Sequence, residues 1–264
     1  MDENTTQHTE TSSPQVAAQR NNALAIPLAI IVGFGLIAAA IFFSGGMAKK
    51  EVAAIDPAKV IDEAAQQIGK TGPVRPIDES DHIRGNPNAP IVIVEYSDYD
   101  CPYCKNFHET MNQVMEKYGT SANIAWVYRH FPLEQRHPNA PLVAQASECV
   151  AEIGGNEAFW KFTDMVFAER GVNDPTDITR LNEFAVSTGV SGAAYDACMK
   201  DGRTKKAVEE DFADGVNAGA RGTPYSLVLV GGQQGVINGA QPYEYVSSIL
   251  DTLTAQLNGT TEAE

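Results

Sequence analysis

Ile91-Val92-Ile93-Val94-Glu95-Tyr96-Ser97-Asp98-Tyr99-Asp100-Cys101-Pro102-Tyr103-Cys104 places a Cys-x-x-Cys pair between an apolar strand and a helix. Ile91 to Tyr96 reads as the strand. From Pro102 to Tyr118, apolar residues fall at Phe107, Met111, Val114, Met115 and Tyr118, one face of a helix that Gly119 stops. Two cysteines at this spacing form the smallest unit that cycles between dithiol and disulfide. The spacing predicts Cys101 exposed at the helix N-terminus and Cys104 about one turn in. There Cys101 faces unpaired backbone N–H groups and the positive end of the helix dipole, which stabilise a thiolate. Cysteines so placed have pKa values of roughly 3.5–7.5, against about 8.5 for a free one. Pro102 suits the first helical position because its missing N–H costs nothing there. Cys104 is then the resolving thiol, kept from reacting first by burial.

Working outward, Asn123 to Phe131 alternates and predicts a second strand. Short helices follow over Ala140–Ile153, Asn156–Ala168, Asp177–Thr188, Ser191–Lys200 and Thr204–Ala218, punctuated by Gly154-Gly155, Gly171, Pro175 and Gly189. Tyr225–Val230 and Gln234–Ile237 predict a hairpin turning at Gly231-Gly232, and Pro242–Leu257 a closing helix. Strand, helix, strand, helical block, hairpin, helix is the order of one α/β domain.

Towards the N-terminus, Ala23–Phe43 is 21 residues without a charge, long enough to cross a bilayer. An uncleaved anchor is the leading reading and a cleaved signal peptide its rival. Lys49, Lys50 and Lys59 after the segment, against Arg20 alone before it, would hold the rest of the chain in the cytoplasm. Long domains translocate largely regardless of charge, and four cysteines suit an oxidising compartment. The expectation is a single-pass membrane protein with an extracytoplasmic catalytic domain. The expected division is a disordered tail over 1–22, the anchor over 23–43, and a juxtamembrane connector over 44–80. In that connector Val52–Ile68 forms a helix and Gly72–Pro76 a stiff spacer. The folded domain spans 81–258, with its insertion at about 135–218, and a tail covers 259–264.

The formal charge is −15 for the 264 residues, and the part from Glu51 onward keeps it all. That balance argues against nucleic acid as a partner. Cys149 and Cys198 stand singly in the helical block, which argues against a four-cysteine zinc site. A structural disulfide between two inserted helices and a pair of free buried thiols both stay open, the disulfide being favoured. The five histidines form no metal set, and the reading calls for no metal and no cofactor. His108 is free to face solvent; His130 and His137 flank a proline-containing loop and read as structural.

Several stretches together resemble the DsbA-like thiol oxidoreductases of the thioredoxin superfamily. Val94 to Cys104 is similar to their active-site segment and Asp81-His82-Ile83-Arg84-Gly85-Asn86-Pro87-Asn88-Ala89-Pro90 to the stretch before it. Arg129-His130-Phe131-Pro132-Leu133, His137-Pro138-Asn139-Ala140 and the Phe159-Trp160 pair fall where the family has counterparts. The resemblance covers about Asp81 to Gln256. It implies a thioredoxin-like α/β fold with a helical insertion, here preceded by one transmembrane helix. It also implies that Arg221-Gly222-Thr223-Pro224 is the cis-proline loop beside the disulfide, with the Thr223 backbone pairing with substrate; an ordinary turn is the alternative. Glu95 matches the family's buried acid, which relays a proton to or from Cys104, unless it is a solvent-facing strand carboxylate. Pro102 and Tyr103, between the cysteines, would tune the couple. A second disulfide is permitted by the family and not required. The expected activity introduces disulfides into reduced or misoxidised protein substrates, with a membrane redox partner reoxidising Cys101–Cys104. A reductase or isomerase of the same fold, and a non-catalytic peptide-binding chaperone, are the alternatives.

Overall fold

The structure, a computed structural model, describes residues 71–119 and 123–261. The tail over 1–22, the Ala23–Phe43 span and the Val52–Ile68 helix lie outside the described residues. Among those described, no helix is long and apolar enough to cross a membrane.

Five strands form a mixed sheet: β1 (His82–Gly85), β2 (Ile91–Ser97), β3 (Ile124–His130), β4 (Tyr225–Val230) and β5 (Gln233–Asn238), in the order β1-β3-β2-β4-β5. β2 and β3 are parallel, as the crossover helix α1 (Pro102–Tyr118) requires; the other pairs are antiparallel. β4 and β5 form the hairpin, with Gly231 and Gly232 at φ 56° and 77°, the positive-φ pair a tight hairpin turn needs. The helical block is α2 (Ala140–Glu169), a 3₁₀ turn (Ile178–Arg180), α3 (Leu181–Ser187), α4 (Gly192–Asp201) and α5 (Lys205–Ala218). The two helices expected from 140 to 168 run on as α2 and are separated only by a break at Gly155, whose φ is 75°. α6 (Tyr243–Thr261) closes the chain, three residues past the expected domain end. Cys149 and Cys198 are joined by a disulfide that ties α2 to α4.

Period-2 alternation on the central strands divides two cores. Ile91 and Ile93 of β2, with Trp126 and Tyr128 of β3, face α1, α6 and the insertion. Val94, Tyr96 and Val127 face the other way, with Phe131, Ala218 and Leu227. Within that second face Arg129 is wholly buried. Its fork donates to both oxygens of Asp81 at 2.8 and 2.9 Å and to Asp214 of α5 at 2.7 Å. The Tyr96 hydroxyl donates to the same Asp214 oxygen at 2.5 Å.

The structure corrects two expectations. First, β1 was not anticipated; four residues at a sheet edge carry too little periodicity to read. Second, Gly72–Pro76 is not a free spacer, and the contacts run on past it to Ile77. Val74 and Ile77 pack on the second core, the Arg75 N–H donates to Asp214 at 2.8 Å, and the Arg75 carbonyl accepts from Arg129 at 3.2 Å. A proline-punctuated segment looks like a linker when its partners lie some 140 residues away in sequence.

Replacing Arg129 with Met would take the wholly buried cation away from two buried carboxylates, leaving Asp81 with Arg75 and Asp214 with only the Tyr96 hydroxyl and the Arg75 N–H. A loss of about 3–5 kcal/mol is expected, measured as the urea unfolding free energy; a loss under about 1 kcal/mol would show that the network is dispensable.

Candidate active site

The chain reaches the site at the corner between β2 and α1. Asp98 is buried there with three donors on its carboxylate: the Asp100 N–H at 2.8 Å, the Leu133 N–H at 2.7 Å and His137 Nδ1 at 2.9 Å. Its own N–H donates to Cys104 Sγ at 3.4 Å. Asp100 accepts from the N–H and the hydroxyl of Thr176 at 2.8 and 2.5 Å, fastening the corner to the insertion. Cys101 is the N-cap of α1 in extended conformation with Pro102 at the first helical position, and no side chain caps the free N–H groups. Cys101 and Cys104 therefore stand at the helix start and one turn in, as the spacing predicts, and are not bonded to each other.

Cys101 is 4% exposed, not open to solvent as expected. The Thr223–Pro224 loop covers one side, with Cys101 Sγ–H donating to the Thr223 carbonyl at 3.5 Å. Arg170, which ends α2, donates to the Cys101 carbonyl at 2.6 Å on the other. Tyr103, at 55%, is the exposed member of the motif. The Thr223–Pro224 peptide bond is cis.

The two thiols differ sharply. Cys101 is lowered to about 6, chiefly by the hydrogen bond from the Cys104 thiol, against a penalty from burial; Thr223 and the N–H groups of Cys104 and Tyr103 add to the lowering. Cys104 is pushed well above the usual thiol range by burial, by its bond to Cys101, and by the charges of Cys101 and Glu95. Glu95 is 0% exposed on the face of β2 beneath α1, so the solvent-facing alternative is ruled out. One of its oxygens accepts from Trp126 Nε1 at 2.9 Å and the other has no partner. Burial raises its carboxyl to about 7. The arrangement holds a thiolate-prone sulfur, a protonated neighbour and a buried acid that titrates near neutrality.

His108 does not face solvent. It is buried between Trp126 and Phe167, with Nε2 on Asp164 at 2.8 Å. His137 holds Asp98, as a structural role requires. His82 and His130 direct Nε2 at one oxygen of Glu148, at 2.6 and 2.8 Å, and the three have the donor types of a metal site. Metal binding through Nε2 would place the ring proton of His130 on Nδ1, which is buried without an acceptor. The geometry favours a hydrogen-bonded triad. Sequence reading missed Asp98, Asp100 and Arg170 as parts of the site. The two aspartates lay in plain view beside Cys101; Arg170 stands 69 residues away with no local signal.

A family model described as Thioredoxin matches residues 78–252. The chain is 34% identical over 158 residues to a Na(+)/H(+) antiporter NhaA 1 of Mycolicibacterium gilvum, a match covering 59% of this chain and 24% of that protein. An NhaA 3 antiporter of Salinispora tropica is 37% identical over 109 residues, 41% of this chain and 16% of its own. The chain thus spans about a quarter or less of the length of these curated relatives. Among solved structures, BdbD from Bacillus subtilis superposes with a TM-score of 0.61 at 20% identity, covering 72% of this chain and 99% of BdbD. DsbA2 from Pseudomonas aeruginosa gives 0.55 at 23% identity, covering 68% and 97%.

Two outcomes follow from these environments. Alkylation of the reduced protein should rise with a midpoint near pH 6 and label Cys101 alone; mass mapping that finds Cys104 labelled first would contradict the asymmetry. For Glu95, a native pKa of about 7 above an ordinary 4.5 means that the folded state holds the proton more tightly. That stabilisation is fully present below pH 4.5 and is lost as pH rises through about 7. Relative to Glu95→Gln, the wild type should lose about 3 kcal/mol across that window, measured by denaturant unfolding at each pH.

Proposed function

The chain belongs to the thioredoxin family and has a DsbA-like thiol-disulfide oxidoreductase fold; from that premise we propose that it introduces disulfides into extracytoplasmic proteins through the Cys101–Cys104 couple. The observation that carries this reading is the asymmetry of the two thiols, one lowered to about 6 and its neighbour raised. In the oxidised form a substrate thiolate attacks the Cys101 sulfur. The Cys101–Cys104 bond breaks, a mixed disulfide forms, and Cys104 leaves as a thiolate. Glu95, protonated below about pH 7, supplies the proton that this high-pKa sulfur takes up. A second substrate thiolate then attacks the substrate sulfur of the mixed disulfide and expels Cys101. Two electrons pass to the enzyme, and the substrate leaves oxidised. Cys101 departs as a stabilised thiolate, and a low leaving-group pKa speeds that step.

Thr223 and Pro224 are the loop that would receive the substrate backbone, supported by the approach of the Thr223 carbonyl to Cys101 Sγ. Pro102 starts the helix without an unpaired N–H, and Tyr103 is the part of the motif a substrate meets first. Cys149–Cys198 is a buried bond between two helices of the insertion and takes the structural role. The catalytic domain would be tethered by Ala23–Phe43, outside the membrane's cytoplasmic face, where a membrane redox partner takes up the two electrons. The match to chains named Na(+)/H(+) antiporters, proteins of membranes, supports that placement. A thiolate at about 6 lies on the oxidising side of thioredoxin, whose reactive cysteine titrates near ~7. This favours oxidation over reduction or isomerisation.

Cys101→Ser should abolish oxidation of a reduced dithiol peptide, and Cys104→Ser, whose lone Cys101 thiolate attacks a disulfide-bonded peptide and releases one of its sulfurs as a thiolate, should accumulate the mixed disulfide. Unchanged function in Cys101→Ser would replace the enzyme with a peptide-binding chaperone. A redox equilibrium with glutathione close to thioredoxin's would replace the oxidase with a reductase.

A further inference from the structure

Arg170 is 7% exposed. Every partner its guanidinium finds is a neutral carbonyl: Cys101 at 2.6 Å, and Gly171, Val172 and Asp174 at 3.2, 3.1 and 3.0 Å. Nε is buried with no partner. Among the described residues no carboxylate lies within ion-pair distance of it, whereas the neighbouring buried cation Lys105 has Glu109 at 3.8 Å. A buried cation without a counter-ion is costly and is kept only where something offsets the cost. The groups whose charge acts on it are those of the active-site corner, Asp100, the cysteine sulfurs and Asp98, and of the two sulfurs it is Cys101 that carries the charge while Cys104 keeps its proton. Of the two aspartates, Asp98 is occupied by three donors, one of them His137, and Asp100 takes both Thr176 donors on one oxygen while its other oxygen is buried without a partner; the charge of each aspartate is the same in both redox states. The sulfurs are different in kind, since their charge comes and goes with the redox state.

We infer that Arg170 is a positioning residue of the thiol couple, whose buried charge is matched by the Cys101 thiolate and so ties the oxidising strength of the site to the helical insertion. This rests on the proposed thiol–disulfide exchange. In the disulfide, Cys101 is neutral and Arg170 has no mobile counter-charge. Reduction by two electrons breaks the S–S bond; Cys104 takes a proton and Cys101 keeps its negative charge beside the guanidinium. The interaction exists only in the reduced form, so it favours reduction of the enzyme and oxidation of the substrate. The hydrogen bond to the Cys101 carbonyl fixes the start of α1, so the charge is held at a set distance from the sulfur.

The test uses three variants, read by ultraviolet thiolate absorbance of the reduced protein against pH and by equilibrium with glutathione. Arg170→Met removes the charge and should raise the Cys101 midpoint by about one pH unit. It should also make the couple about tenfold less oxidising, some 30 mV. Arg170→Gln, which keeps an amide donor for the Cys101 carbonyl, should do the same and serves if the Met variant fails to fold. Arg170→Lys keeps the charge and should stay near the wild-type midpoint even where it lowers the melting temperature. A neutral variant with wild-type midpoint and potential would overturn the inference, whatever its stability, as would a Lys variant shifted as far as Met. A wild-type couple that does not exchange with glutathione at all would overturn the thiol–disulfide reading instead.

Discussion

The three donors on the Asp98 carboxylate are the contact on which the site depends. A buried carboxylate is tolerated only when its lone pairs are satisfied, and hydrogen bonds to a charged group contribute roughly 1.5–3 kcal/mol each. Here the donors come from the corner itself, at Asp100, and from the loop after β3, at Leu133 and His137. The corner between β2 and α1 can close in one way only, because any other path leaves the charge unpaired. Asp100 fastens the opposite side through one oxygen only, which accepts both donors of Thr176 in the insertion, while its other oxygen is buried without a partner. The sulfurs then fall where the sheet, the insertion and the Thr223–Pro224 loop meet.

The same economy governs which acid titrates. On the paired strands β2 and β3, Glu95 lies opposite Tyr128 and Tyr96 opposite Arg129. Adjacent positions point to opposite faces, so the sheet stands between Glu95 and the Arg129 network. Glu95 therefore meets Trp126 and the sulfurs but no cation, and burial, with a smaller push from the Cys101 charge, drives its carboxyl up to about 7. A slip of one residue in β2 would exchange the faces. It would place Glu95 among Arg129, Asp81 and Asp214, and put Tyr96 under the active-site helix. Register thus decides whether the site has a proton donor near neutrality.

Periodicity and punctuation were enough to read α1, the helical block, the β4–β5 hairpin and the closing helix, since each carries its own repeat. The Cys-x-x-Cys spacing located both thiols, and the rank order of their reactivity followed from the helix start. What escaped were features made by distant contacts. β1 is four residues long and owes its strand form to β3. Residues 72–80 join the fold through Arg75 and Asp214, 139 positions apart. Of the cover over Cys101, the Thr223–Pro224 loop was read through the family resemblance, but the Arg170 side and the burial of His108 by Trp126 and Phe167 have no local pattern to announce them. The burial of Glu95 was half legible: alternation offered two faces, and only the packing of α1 against one of them chose.

The asymmetry between the thiols has a consequence for direction. Cys104 is the hydrogen-bond donor that lowers Cys101, so the proton that disarms one sulfur arms the other. In the oxidising direction Cys104 leaves first and needs a proton at once; Cys101 leaves last and needs none. In the reducing direction Cys104 must lose its proton before it can resolve the mixed disulfide, and burial opposes that loss. A buried acid that titrates near neutrality serves both directions, but the charge-stabilised sulfur serves one. As pH rises through about 6 the Cys101 thiolate forms while Cys104 stays protonated, and on the proposed oxidising reading the balance tilts further towards substrate oxidation. On that reading the donors and charges packed around the couple, the Tyr103 N–H of the dipeptide among them, bias the electron flow.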